Sequence, residues 1–209
     1  MFRLLRRLLV ASLAVVGLGA LALGVWFGVG GISARRPPGR LEAVVAPRLR
    51  SLAIPSGVRR MRNPIPESPE VIAAALEHFA DHCAVCHAND GSGDTEMGRG
   101  LYPRVPNMRR AATQALSDGE LFYVIENGVR LTGMPAWGDG SPESERASWH
   151  LVHFIRHLPA LSDAEIARMK ALNPRTPSEF LEEEAARKFL EGSGGAPEPA
   201  RVHKHGGRK

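Results

Sequence analysis

The chain is 209 residues long, carries a formal net charge of +5 and contains only two cysteines. That length allows one modest domain with appendages, and two cysteines separated by two residues would brace too small a loop to act as a structural staple. The basic excess does not point to nucleic acid. Eight arginines (Arg35, Arg36, Arg40, Arg48, Arg50, Arg59, Arg60, Arg62) crowd one stretch against a single acid, Glu42, while acids outnumber bases across residues 69–160. No nucleic-acid motif accompanies the run, and its place beside an apolar segment suits phospholipid head groups.

Leu8 to Ala34 holds no charged residue, enough helix to cross a hydrocarbon core of roughly 30 Å at about 1.5 Å per residue. Arg3, Arg6 and Arg7 precede it and favour a cytoplasmic N-terminus. Trp26 and Phe27 stand near the far end, at interfacial depth. The apolar run exceeds the usual signal-peptide core of about 7–15 residues, so residues 1–34 are expected to be a retained single-pass anchor or uncleaved signal. Small residues such as Ala20 and Ala22 leave cleavage as the rival reading. Gly24 and Gly28 form a GxxxG pair, a weak sign of helix pairing.

Residues 35–68 read as an Arg- and Pro-rich linker or wrapping arm with no site of its own. Its Leu41, Val44, Val45, Leu49 and Ile54 are available to lie along a surface. The globular part begins at Ser68-Pro69-Glu70, with an N-cap serine, proline at the first helical position and an acid facing the positive dipole end. Ile72, Leu76, Phe79 and Cys83 recur at helical spacing after it. Ala88 to Asn107, rich in Gly, Pro and Asn, is loop. Ser117-Asp118-Gly119-Glu120 is a capping box that opens a helix to about Asn127, with Gly128 suited to its C-terminal cap.

Ser141-Pro142-Glu143 starts a further helix to about His157, stopped by Pro159, with Leu151, Phe154, Ile155 and Leu158 on its apolar face. Ser162-Asp163-Ala164-Glu165 is another capping box, and residues 178–191 look helical. From Gly192 the composition is that of a disordered tail. No strand alternation appears in the globular region, so the expected fold is all-α. The expected units are 1–34, 35–68, a domain at 69–160 and a tail at 161–209.

Cys83-Ala84-Val85-Cys86-His87 is the attachment signature for c-type haem. Each thiol adds to one haem vinyl group, two intervening residues match the vinyl separation, and the adjacent histidine is placed to coordinate iron. A thioredoxin-like pair would want a βαβ setting and has no need of His87. Structural zinc takes four ligands, and His78, His82 and His87 would have to complete the set. A sixth iron ligand is offered by Gly133-Met134-Pro135-Ala136-Trp137, where a thioether sits on a segment stiffened by proline. A methionine between Gly and Pro in a polar loop is poorly explained as core filler. Met97 and Met108 are its rivals.

The order of helix, CxxCH, Pro-containing loop, short helix, Gly-Met-Pro and final aromatic helix resembles the class I cytochrome c family over roughly residues 69–160. The resemblance implies a small helical domain enclosing one covalent haem c. It implies thioether anchors at Cys83 and Cys86, His87 as proximal ligand and Met134 as distal ligand. It also implies that the carbonyl of Pro106, or of Pro103, accepts the His87 Nδ1 proton, a bond that orients a ligand ring and raises its basicity. Phe79 and Phe154 resemble the aromatic pair where the first and last helices cross.

The implied function is one-electron transfer by His/Met-ligated haem, without an enzyme's acid, base or nucleophile array. Such a protein is a membrane-tethered carrier or the haem subunit of a larger respiratory complex, facing the periplasm from the inner membrane and exchanging electrons with partner proteins. The alternative is a haem sensor or peroxidase-like protein with a labile sixth position. Leu181, Ala185, Lys188 and Phe189 leave an apolar edge for docking on a partner. His150, His153 and His157 are read as a solvated helix edge rather than a metal site, and His203-Lys204-His205 as part of a basic tail.

Overall fold

Each of the four serines expected to open a helix does so. The structure, a computed structural model, describes residues 2–31, 33–174 and 177–192. The expected disordered tail beyond Gly192, with His203 and His205, and the Phe27 side chain lie outside the described residues. Among those residues there are helices and no strand, so the fold is all-α.

Helix α1 (Phe2–Gly30) contains an apolar span, Phe2–Trp26, with a mean hydropathy of 2.5 and nothing buried. It is long and apolar enough to cross a membrane, which suggests anchoring. The arm that follows is more ordered than a linker. It forms α2 (Arg40–Ala53), which runs through Pro47, and the single turn α3 (Ser56–Arg59). It is stitched to the domain at several points. Ile54 is buried, the Ser51 hydroxyl donates to Glu120 at 3.0 Å, and the Asn63 amide donates to the Trp149 carbonyl at 2.8 Å.

The domain opens with α4 (Pro69–His78), where the Ser68 hydroxyl accepts from the Val71 amide. The helix then widens into a π turn at Phe79–Cys83 and narrows again as α5 (Ala84–His87). Short helices α6 (Glu96–Gly100) and α7 (Ala111–Gln114) punctuate the loop. Helix α8 (Asp118–Asn127) starts from a complete Ser117/Glu120 capping box, and α9 (Pro142–His157) starts at Ser141. The apolar faces of α4, α8 and α9 close on one core. Phe79 meets Phe154 with ring centroids 5.0 Å apart and planes inclined by 52°, the packing expected where the two helices cross. Phe122 stacks on Trp149 at 4.1 Å.

The packed body continues past Pro159. Helix α10 (Asp163–Leu172) opens with the Ser162/Glu165 capping box and sends Met169 into the core, where it is fully buried. Arg168 pairs with Glu77 of α4. Helix α11 (Pro177–Leu190) leaves Phe180, Leu181, Phe189 and Leu190 exposed.

The histidine stripe on α9 is not a solvated edge. A His153 ring nitrogen lies 2.7 Å from the Ile65 carbonyl, and His157 Nε2 lies 2.8 Å from the Glu165 carboxylate. The arm and α10 cover the side of α9 that the sequence leaves looking bare. On the same helix, the Arg156 guanidinium donates to the carbonyls of Gln114 and Leu116 and to the Asp118 carboxylate.

Candidate functional site

One helical stretch carries Cys83, Cys86 and His87. The π turn adds a residue to the circuit just before the motif, a distortion often found beside functional groups. Nothing in residue preference announces it. Phe79 and Ala80 point into the core, while Cys83 and Cys86 are part-exposed free thiols. The end of α5 is closed by the following loop. The Gly93 amide donates to the His87 carbonyl at 2.8 Å. The Thr95 hydroxyl donates to the Cys86 carbonyl at 3.2 Å and accepts from the Gly98 amide at 2.8 Å. A Cβ at Gly98 would lie 2.6 Å from the Cys86 carbonyl oxygen, so the loop can come this close only with glycine there. The Thr95 contact has one sequence signal, a threonine placed to cap α6.

Burial sets the charge state of the three groups. Burial, with Cys86 alongside, pushes the Cys83 thiol up to about 12. Burial also raises the Cys86 thiol. Burial lowers His87 to about 4, so its imidazole is neutral at physiological pH. The His87 ring stands 6.3 Å from Phe79, and its Nδ1 is buried without a hydrogen-bond partner.

The expected bond from His87 Nδ1 to the carbonyl of Pro106, or to that of Pro103, is not made in this structure. Two backbone bonds anchor the loop that carries Pro106. The Val105 amide donates to the Gly98 carbonyl at 3.3 Å, and the Met108 amide donates to the Gly91 carbonyl at 2.8 Å.

Met134 is half-buried in the turn that follows α8. Its amide donates to the Thr132 hydroxyl at 3.1 Å, and its carbonyl accepts from the Val129 amide at 3.0 Å. Gly128 makes this return possible. Its backbone sits at φ 64° and ψ −168°, a region open essentially to glycine alone. A Cβ there would lie 2.6–2.7 Å from backbone atoms of Met134, Pro135 and Ala136. Beyond the turn, the Trp137 and Gly138 amides donate to the Ile125 and Glu126 carbonyls. Trp137 also packs edge-on against His82, with centroids 5.6 Å apart, which ties the Met134 segment to the residue before Cys83. Of the rivals, Met97 lies exposed on α6 and Met108 is buried in the core.

Residues 70–155 match the family model described as cytochrome c oxidase, cbb3-type, subunit III. This segment is a cytochrome c domain. No curated protein matches the chain. A cytochrome c domain binds haem and transfers electrons with redox partners, and the residues here fit that group. Two uncharged thiols and a neutral imidazole sit within five residues of one helical stretch. The imidazole also has a buried nitrogen lacking a partner, in a fold where buried polar groups are ordinarily satisfied. Among the described residues there is no separate cluster of histidine, cysteine and acid suited to a metal ion.

Proposed function

We propose that this cytochrome c domain carries a single covalent haem c, with Cys83 and Cys86 as thioether anchors, His87 as proximal ligand and Met134 as distal ligand. When bound, the haem supplies one-electron chemistry between ferric and ferrous iron, its potential raised by a thioether ligand relative to more basic sets. Every other contribution comes from the chain. Burial keeps the His87 ring neutral, so no proton has to leave before it donates to a metal. Pro106 is our proposed acceptor for the Nδ1 proton in the loaded protein, where the ring needs a second partner to hold its orientation. The Gly128–Met134 return and the Trp137–His82 contact fix the thioether's backbone, which limits rearrangement at each electron transfer.

We further propose that α1 is a retained single-pass anchor in the inner membrane, with the domain on the periplasmic side, where haem is attached. The matched family is named for a subunit of a membrane oxidase. That supports the haem subunit of a respiratory complex over a free carrier, with electrons exchanged between protein partners. The observation that carries the electron-transfer reading is Met134 held in a built turn tied to the CxxCH helix. Met134→Ala should abolish the weak sulfur-to-iron charge-transfer band of the ferric protein, lower the reduction potential and admit carbon monoxide to the ferrous form. Rapid carbon monoxide binding by the unmodified protein would instead favour a sensor. A band that survives Met134→Ala but vanishes in Met108→Ala or Met97→Ala would move the ligand and leave the electron carrier standing.

A further inference from the structure

Helix α2 turns an apolar face away from the domain. Leu41, Val44, Val45, Leu49 and Leu52 recur at spacings of three and four along it, and each is exposed, Leu41 by 77%, Leu52 by 71% and Leu49 by 59%. The helix meets the domain by other positions, through Ser51 to Glu120 and through Glu42 to the Tyr102 hydroxyl. The outward face is therefore left without a partner in the fold. An exposed row of large aliphatic side chains on a helix that also carries three arginines is what an interfacial helix presents to a bilayer.

Its surroundings favour lipid as the occupant. Only nine residues separate the last residue of α1 from the first of α2, so the helix begins within a short reach of the apolar span. Arg35 and Arg36 lie in that connection, and Arg40, Arg48 and Arg50 lie on α2 itself, against Glu42 as the sole acid. Arg48 falls within the apolar row, between Val45 and Leu49, where its long aliphatic stem can lie along the apolar surface while the guanidinium reaches a phosphate. A protein surface would have to be both apolar and acidic to match this face. The membrane that holds α1 supplies both properties beside it.

We propose that α2 lies in the interface of the membrane that anchors α1, with Leu41, Val44, Val45, Leu49 and Leu52 among the acyl chains and the flanking arginines on anionic phospholipid head groups. The domain is then held at a fixed attitude instead of swinging on a tether. The inference rests on α1 being inserted. Because α2 also touches Tyr102, beside the Leu101 side chain that packs against Gly133, the attitude extends to the Met134 segment.

The test uses the full-length, haem-loaded protein in vesicles of equal parts phosphatidylglycerol and phosphatidylcholine. Spin labels are placed singly through Leu13→Cys, Val44→Cys and Glu143→Cys, with the parent chain labelled in parallel as background. Val44 is exposed, so its replacement leaves the core intact. The Val44 label should collide with oxygen several-fold more readily than with a water-soluble nickel chelate, and the Glu143 label should show the reverse. A Leu13 label that is itself water-accessible would overturn insertion of α1, and with it this proposal. A deep Leu13 label beside a water-accessible Val44 label would overturn the proposal alone. If that Val44 label then became shielded only on adding solubilised native membrane proteins, the face would be assigned to a protein partner.

Discussion

Cys83, Cys86 and His87 occupy consecutive turns of one helical stretch whose inward side is core, whereas Met134 hangs on a loop that returns over α8 by backbone contact. The first group is placed by side-chain packing: Phe79 against Phe154, with Ala80, Ala84 and Met169 in the same cluster. The second is placed by a glycine that no other residue replaces without strain and by amide-to-carbonyl bonds at Val129, Trp137 and Gly138. Packing tolerates small adjustments of volume, while a close backbone approach tolerates almost none. The two halves of the site should therefore fail differently, one through loss of stability and the other through loss of geometry with the fold intact.

The largest expected effect tests the first half at its chemistry. Cys83→Ala combined with Cys86→Ala should leave no haem on the chain after a denaturing gel, while far-ultraviolet circular dichroism keeps its helical signal. Haem that stayed through the gel would show that these cysteines are not the attachment points. Next comes the packing beneath them. Truncation after Ala160 removes Met169 from the core and should cost at least the ~2–5 kcal/mol typical of a buried methionine reduced to alanine. Truncation after Pro174 should cost little, and chemical unfolding of the two shortened chains separates them.

The buried imidazole gives the third effect, read on the haem-free chain. Burial holds His87 at about 4 when folded, below its ordinary value near 6.5. Between those two values the unfolded chain binds the proton and the folded chain does not. Its contribution is fully present above pH 6.5 and is lost as pH falls through the window, by about 3 kcal/mol at pH 4. His87→Gln should flatten that part of the stability profile. An unchanged slope would mean that the ring is not desolvated. The smallest effect belongs to the loop. Gly128→Ala should cost about 1–3 kcal/mol, little for the fold, yet weaken the charge-transfer band and shift the potential toward that of Met134→Ala. A full-strength band in Gly128→Ala would erase the contrast between the halves.

The helices of the domain were legible because their signals are local. Ser68, Ser117, Ser141 and Ser162 open helices by short-range hydrogen bonds that any sequence reader can anticipate, and the Phe79–Phe154 contact follows from the resemblance. The π turn was not legible, since widening a helix over Phe79–Cys83 changes bond register without changing residue preference. Helix α2 was hidden by Pro47 and its arginines. The place of α10 in the core was hidden for another reason: Met169 is its one buried residue, so no apolar stripe exists to be read. For the site itself, the CxxCH stretch and the Gly-Met-Pro segment could be picked out from the sequence. The missing acceptor for His87 Nδ1 could not, because a hydrogen bond to a loop distant in the fold leaves no mark on local residue preference.

Arg156 holds the turn between α7 and α8 from a distance of some forty residues along the chain, and two of its three acceptors are main-chain carbonyls. Carbonyls are the same whatever side chain they accompany. The instructions for shaping residues 114–118 are therefore written in good part at position 156, and the exposed Ala115 can change identity without the turn losing those bonds. A lysine at 156 would carry the charge but not the planar fork that reaches several acceptors at once. The form of this turn is thus held by a single side chain that stands guarantor for a loop it does not belong to.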